Sequence, residues 1–294
     1  MFNDISISKI GVSKQNNSTT SAQQKAEDTS IFGNNIVDDK KPVKLTKEEK
    51  QAKKEAEKAE KKRIKNTPDG VIQGGAQGRT AGDCWLLAQM NSMAQTEWGK
   101  EAFKNAITKE DDGSFTVHFK GINKDIKISQ KEFEKAQKDS YYSNGDADAL
   151  LLELATEKHF KETGLNNGTI KGNSLAGEDS LQFLMTGVKG REFTKKQKNY
   201  EQQVEMVLMA MAEDPEGNNG FSTTYISKDN SPDSTGDISH AVSVKGVIKN
   251  DKGKIKEVVI LDSYKPNEPF TKSYGQFINE MEVFGFTRVI KKDE

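Results

Sequence analysis

The switch in apolar patterning near Gly70 constrains this chain of 294 residues more than any other feature. Residues 1–39 are rich in Ser, Asn, Thr, Gln and Asp and hold few side chains able to form a core, so burial cannot offset the entropy of ordering them; the segment reads as a disordered polar tail. Residues 40–67 follow as a charged stretch. Positions 40–66 carry twelve Lys or Arg against five Asp or Glu. Lys, Glu and Ala favour helix, and several Glu–Lys pairs fall at helical spacing, but the apolar face is little more than Ala52, Ala56 and Ala59. This block reads as a solvated spacer helix, or as a basic arm that docks on an acidic partner. Thr67-Pro68-Asp69-Gly70 reads as a turn that closes it. The low overall apolar content, 33% against 30% charged with a mean hydropathy of −0.79, is what a core confined to the remaining residues would give.

Beyond Gly70 the pattern changes twice. CWLLAQMNSM places Leu86, Leu87, Met90 and Met93 near helical spacing, with Cys84 at the helix start. Phe115 to Phe119 alternates like a strand, and 125–129 reads as its hairpin partner. Residues 147–160 and 200–212 read as helices, and Glu178-Asp179-Ser180 as a helix start before Leu181. Strands then dominate: 221–226, 240–249, 256–262 and 286–290, the middle pair joined by the turn Asn250-Asp251-Lys252-Gly253, with a last helix over 273–284. The expectation is an α+β protein with a helical lobe over 68–197 and a β-rich lobe over 198–294.

Several functions are excluded or disfavoured by what is scarce. One cysteine excludes an internal disulfide framework and a multi-cysteine metal centre, and three histidines leave little for a histidine site. A net charge of −1 disfavours nucleic-acid binding by the molecule as a whole. Apolar runs are too short to span a bilayer. An ordinary secretory signal is not visible, which points to a cytoplasmic protein or one exported by another route.

The lone Cys84 is by default a small buried hydrophobe. A thiol at a helix start, however, meets unpaired backbone N–H groups that favour its anion, and an imidazole completes its activation. His240 begins the apolar strand HAVSVKGV, and Asp262 ends the strand VVIL twenty-two residues on, where a carboxylate can fix an imidazole's tautomer. Gln77 and the backbone N–H of Cys84 are donors suited to an oxyanion, and Gln73 lies further from the cysteine. His118 and His159 fit structural roles, one on a strand and one on an apolar helical stripe.

The wording of these segments resembles the catalytic core of calpain-type cysteine proteases, within the papain-like superfamily. QGRTAGDCWLLAQMNSM is similar to that family's active-site segment, in which a Gln precedes Gly-Asp-Cys-Trp-Leu-Leu-Ala. ALLLELATEKHF resembles its Leu-Leu-Glu-Lys-Ala helix, and GEDSLQFLMTGVKG the end of its first lobe. SHAVSVKGV resembles its Gly-His-Ala-Tyr-Ser-Val block, VVILDSYKP stands at its Asn-Pro-Trp block, and SYGQFINEMEVFGFTRVI is similar to the end of its core. The resemblance covers residues 70–290. It implies a papain-like two-lobe fold with a cleft between the lobes, a protein or peptide substrate, Cys84 as nucleophile, His240 as general base, Asp262 as the orienting third member and Gln77 at the oxyanion. Three departures stand out. Asp262 replaces Asn, Tyr264 replaces Trp, and Gln77 lies one residue further from the cysteine than in the family. No EF-hand pattern is present, so neither calcium nor any other metal or cofactor is expected. Two other functions fit the same residues: acyl transfer to or from glutamine, suggested by the Cys, His, Asp order of transglutaminases, and a silent protease fold used for binding.

Overall fold

The computed structural model describes residues 46–289 apart from 74, 79, 173–174, 214–220 and 229–238. The polar tail, the first residues of the basic block and most of the polar segment before His240 therefore lie outside the described residues. Two units divide the chain, 1–46 and 47–294, and the account below concerns the second.

Helix α1 (Lys47–Asn66) buries none of its residues, as its composition requires. It ends at Thr67, whose N–H reaches the Arg63 carbonyl. Arg63 also pairs with Asp69 at 2.8 Å. Helix α2 (Cys84–Met93) is the opposite case: every residue after Cys84 is buried. Trp85 stacks on Phe160 with ring centroids 6.2 Å apart and donates Nε1–H to the Ile170 carbonyl at 2.7 Å. Each fully buried Leu or Met here contributes about 1.5–3 kcal/mol, which makes α2 a stiff base for the residue at its N-terminus.

Helix α3 (Glu97–Lys104) is capped by Thr96. A small antiparallel sheet follows, made of β1 (Ile107–Lys109), β2 (Phe115–Phe119) and β3 (Lys124–Ile128) in that order. Helix α4 (Gln130–Ala136) starts in a Ser129–Glu132 capping box. Helix α5 (Ala147–Thr163) is capped by Asp146 and stops at Gly164, whose φ of 74° continues no helix. Helix α6 (Leu181–Thr186) starts at Ser180, which accepts from the Phe183 N–H. These elements share one apolar core with α2.

The larger sheet has six antiparallel strands in the order β4-β9-β5-β6-β7-β8. They are β4 (Arg191–Thr194), β5 (Phe221–Lys228), β6 (Ser239–Lys249), β7 (Ile255–Leu261), β8 (Phe270–Ser273) and β9 (Met281–Arg288), with α7 (Tyr200–Ala212) after β4 and α8 (Tyr274–Glu280) after β8. A second apolar core joins α7, α8 and this sheet. Strand β6 lies between α2 and α7. Ala241 therefore belongs to the first core and Val242 and Val244 to the second. The molecule is thus a mixed helix and sheet protein with antiparallel pairing in both sheets.

The final helix is shorter than the sequence suggests. Helix α8 opens in a Ser273–Gln276 capping box but ends at Glu280, and residues 281–284 are strand. Met281, Val283 and Phe284 pair across to β5, and Val283 and Phe284 also to β4. Those long-range ladder bonds outweigh a local helical preference that the apolar spacing alone could not exclude. Edge strands β4 and β8, the short strand β1 and helices α3 and α4 carry no strong periodic signal and were not anticipated.

Candidate active site

Sheet register brings the first two residues together. In the β6–β7 pair Ser243 lies opposite Leu261, so the start of β6 and the end of β7 share one edge of the sheet. His240 sits at that start and Asp262 just past that end. Nε2 of His240 is 2.9 Å from Asp262 Oδ1. Asp262 is steadied by the Tyr264 N–H, which reaches the same oxygen at 2.9 Å. Its carbonyl accepts from the Lys265 N–H at 2.9 Å. Tyr264 stacks on His240 with centroids 4.8 Å apart and planes 18° from parallel, although the Tyr264 side chain remains substantially exposed.

Cys84 reaches the same imidazole. It is half-buried at the first position of α2. The packing of α2 against β6 carries it to His240, near enough for the sulfur to act on the ring's proton. Asp262 occupies Nε2, which leaves Nδ1 as the ring's other nitrogen. Burial alone would lower the imidazole's proton affinity; the bond and charge of Asp262, with the Cys84 sulfur nearby, instead hold it up to about 10. Burial likewise pushes Asp262 up, but the bond to His240, that ring's charge and the Tyr264 N–H keep its carboxyl below the ordinary range. The arrangement is a carboxylate, an imidazolium and a sulfur in series.

The backbone around Cys84 is firmly held. Leu86 and Leu87 donate their N–H groups to the Asp83 carbonyl at 2.9 and 3.2 Å. As the first helical residue, Cys84 has no intrahelical carbonyl for its own N–H. Further along α2, Ser92 Oγ donates to the Thr223 carbonyl at 2.9 Å and accepts the Thr223 N–H at 2.5 Å and the Ser222 hydroxyl at 2.9 Å. These buried bonds fasten the cysteine helix to β5, beside the histidine strand.

Gln77 is fixed to the loop that follows Asp262. Its N–H donates to the Ser263 carbonyl at 2.9 Å, and Ser263 Oγ donates to Gln77 Oε1 at 2.7 Å. With Oε1 so engaged, the amide Nε2 is the donor end. The chain here is pressed against its neighbours. A Cβ on Gly78 would stand 2.0 Å from the Tyr141 carbonyl oxygen, so only glycine fits. Ser263, which has no side-chain exposure to speak of, was not singled out from the sequence, since nothing local marks a serine beside a turn as the anchor of a distant glutamine. Gln73 is engaged elsewhere, donating its N–H to Asp146 at 2.5 Å and its side chain to Asp69 at 3.1 Å.

The remaining histidines stand apart from this group. His118 Nδ1 bonds Asp125 at 2.6 Å across the β2–β3 ladder on the surface. His159 is buried against Phe119 and Phe160, and burial lowers its proton affinity. Among the described residues no group of three or more His, Cys, Asp or Glu side chains is placed to hold a metal ion, and no helix is long and apolar enough to cross a membrane.

Compared with models of known protein families and with curated proteins, the chain matches none.

Proposed function

We propose that this protein is a cysteine endopeptidase with a papain-like two-lobe core of calpain type. The observation that carries the reading is the series Cys84, His240, Asp262, assembled from a helix N-terminus and the two facing strand ends. Cys84 Sγ attacks the carbonyl carbon of the scissile peptide. The charge that develops on the carbonyl oxygen is met by the Cys84 N–H and by Gln77 Nε2. His240 gives its proton to the departing amine nitrogen as the C–N bond breaks, leaving a thioester on Cys84. Water then attacks the thioester carbon and gives its proton to His240, the C–S bond breaks, and the free acid leaves. Asp262 holds the imidazole in place through Nε2 and stabilises its charged form throughout.

Labelling of the native protein with iodoacetamide across pH, with His240→Ala as control, tests the reading before any substrate is known. Labelling well below the ordinary thiol range of about 8.5, slowed by the histidine change, supports it. Slow labelling unaffected by the mutation rejects it.

One feature favours a second reading. The third member is a carboxylate, as in enzymes that transfer the acyl group of glutamine. Release of ammonia from a glutamine peptide without chain cleavage would select that chemistry. The basic helix α1 is then a spacer or a docking arm for an acidic partner, outside the reaction itself.

A further inference from the structure

The chain around Cys84 is bonded to a second segment, residues 169–172, at two points. Trp85 donates Nε1–H to the Ile170 carbonyl at 2.7 Å, and the Gly172 N–H reaches the Gly82 carbonyl at 2.9 Å. Lys171 therefore lies between the two contacts that flank Asp83 and Cys84. The segment is also held within itself. Asn166 adopts the left-handed conformation at φ 44°, and its Nδ2 amide reaches the carbonyls of Thr169 at 2.7 Å and Gly172 at 2.8 Å. Thr169 Oγ1 accepts the Lys171 N–H at 3.1 Å, and Ile170 is fully buried.

The Lys171 side chain follows the same path. A Cβ on Gly82 would stand 3.0 Å from Lys171 Cγ, 3.7 Å from Cδ and 3.6 Å from Cε, so the aliphatic stem packs along the glycine and carries the ammonium beside the Gly82-Asp83-Cys84 run. Two residues separate Gly82 from Cys84, at most about 7 Å of chain. Lys171 is exposed, and no carboxylate among the described residues pairs with it. The Asp83 carboxyl next door is not its counter-ion, because it is fully buried and has no hydrogen-bond partner among the described residues.

We propose that Lys171 is a specificity-determining residue: its ammonium receives a carboxylate on the group presented to Cys84, so the site takes acidic peptides, with Asp or Glu beside the scissile bond. An ammonium is a compact point charge with three donors, and it accepts a carboxylate from many directions. The peptide substrate rests on the proteolytic reading above; the preference of the Cys84 site for anionic reagents does not. Exposure sets the size of the effect. A solvated ion pair is worth about threefold in rate or affinity, so Lys171 ranks substrates and does not gate the reaction.

The test uses the full chain and three variants. Lys171→Met keeps the stem without the charge, Lys171→Arg keeps the charge, and Lys171→Glu reverses it. Cys84, the only cysteine, is alkylated in parallel with iodoacetate, which is anionic, and iodoacetamide, which is neutral. The ratio of the two rates divides out any change in thiol ionisation. Relative to wild type, the ratio is expected to fall about threefold in the Met variant and about tenfold in the Glu variant, and to stay within about twofold in the Arg variant. These differences should shrink in 1 M salt, where charges are screened beyond about 3 Å. A ratio equal in wild type and the Met and Glu variants overturns the proposal. Peptides acetylated and amidated at their ends, so that a side chain holds the only carboxylate, are then compared with Glu or Lys on either side of the bond. Wild type is expected to favour Glu and the Glu variant Lys; the same order in both overturns the acidic-substrate assignment. If no peptide is cleaved while the ratio still responds to residue 171, the proteolytic reading fails and the anion preference stands. Cleavage with an unresponsive ratio is the reverse.

Discussion

His240 and Asp262 meet at 2.9 Å through Nε2 and Oδ1, at the edge where β6 begins and β7 ends. The contact fixes the imidazole's ring orientation and, together with Cys84, holds its proton up to about 10. The folded-state value is raised above the ordinary 6.5, so the stability that this proton contributes is complete below about 6.5 and is lost as pH rises through about 10.

Asp262→Asn retains an acceptor for Nε2–H but not the charge. The imidazole's proton affinity then falls, and the alkaline limb of kcat/KM moves to lower pH. Asp262→Ala loses orientation as well and lowers kcat/KM on the order of a hundredfold. A pH–rate profile of the three proteins checks both; an alkaline limb that does not move in the Asn variant contradicts the assignment.

Cys84→Ala removes the proposed nucleophile from a half-buried position at the margin of the first core. Turnover and alkylation are expected to disappear, while unfolding free energy changes by about 1 kcal/mol or less. Urea unfolding beside a peptide-cleavage assay separates the two effects.

Tyr264→Ala strips the stacked ring from His240 and admits water to its contact with Asp262. An aromatic stack is worth about 1 kcal/mol, so activity should fall several-fold, with the alkaline limb again shifted down. Tyr264→Trp restores a stacking face and is expected to recover most of the loss. Equal activity in the Ala and Trp variants would show that the stack plays no part.

Gly78→Ala cannot be accommodated without moving the 141–142 backbone, given a Cβ position 2.0 Å from the Tyr141 oxygen. A loss of about 2 kcal/mol in stability is expected, together with reduced turnover because Gln77 moves with it. Calorimetry measures the first and kcat the second.

Asp146→Ala removes the cap of α5, where Oδ1 accepts the N–H groups of Asp148 and Ala149, and also releases Gln73 from Oδ2. The cap alone is worth about 1 kcal/mol. Burial raises Asp146 to about 6, so its carboxylate stabilises the fold less as pH rises from its unfolded value near 3.8 through about 6. The variant should therefore lose that segment of the pH dependence of urea unfolding, which direct titration of the midpoint would reveal.

Much of the local structure is legible in the residues. The helix beginning at Cys84, the cap at Ser180, the bounds of Tyr200–Ala212 and the turn between β6 and β7 all follow from patterns a few residues long. The strand at 281–284 does not, because its pairing partners lie some fifty to ninety residues away in sequence. The same limit applies to the site. Sequence marked Cys84, His240, Asp262 and Gln77 singly, but it gave no sign that Ser263 would hold Gln77 or that Asp83 would leave the α2 cap unmade.

The sequence by itself determined where a core was possible, because apolar periodicity and capping are short-range properties of the chain: no residue of α1 is buried, and only Cys84 of α2 escapes full burial. The tertiary structure alone decided which charged and polar groups meet. Antiparallel register set His240 beside Asp262, helix-on-sheet packing set Cys84 against the ring, and the loop after β7 met Gln77 through Ser263. Such contacts depend on the distance and solvation of groups far apart in the chain, and spacing along the sequence encodes neither.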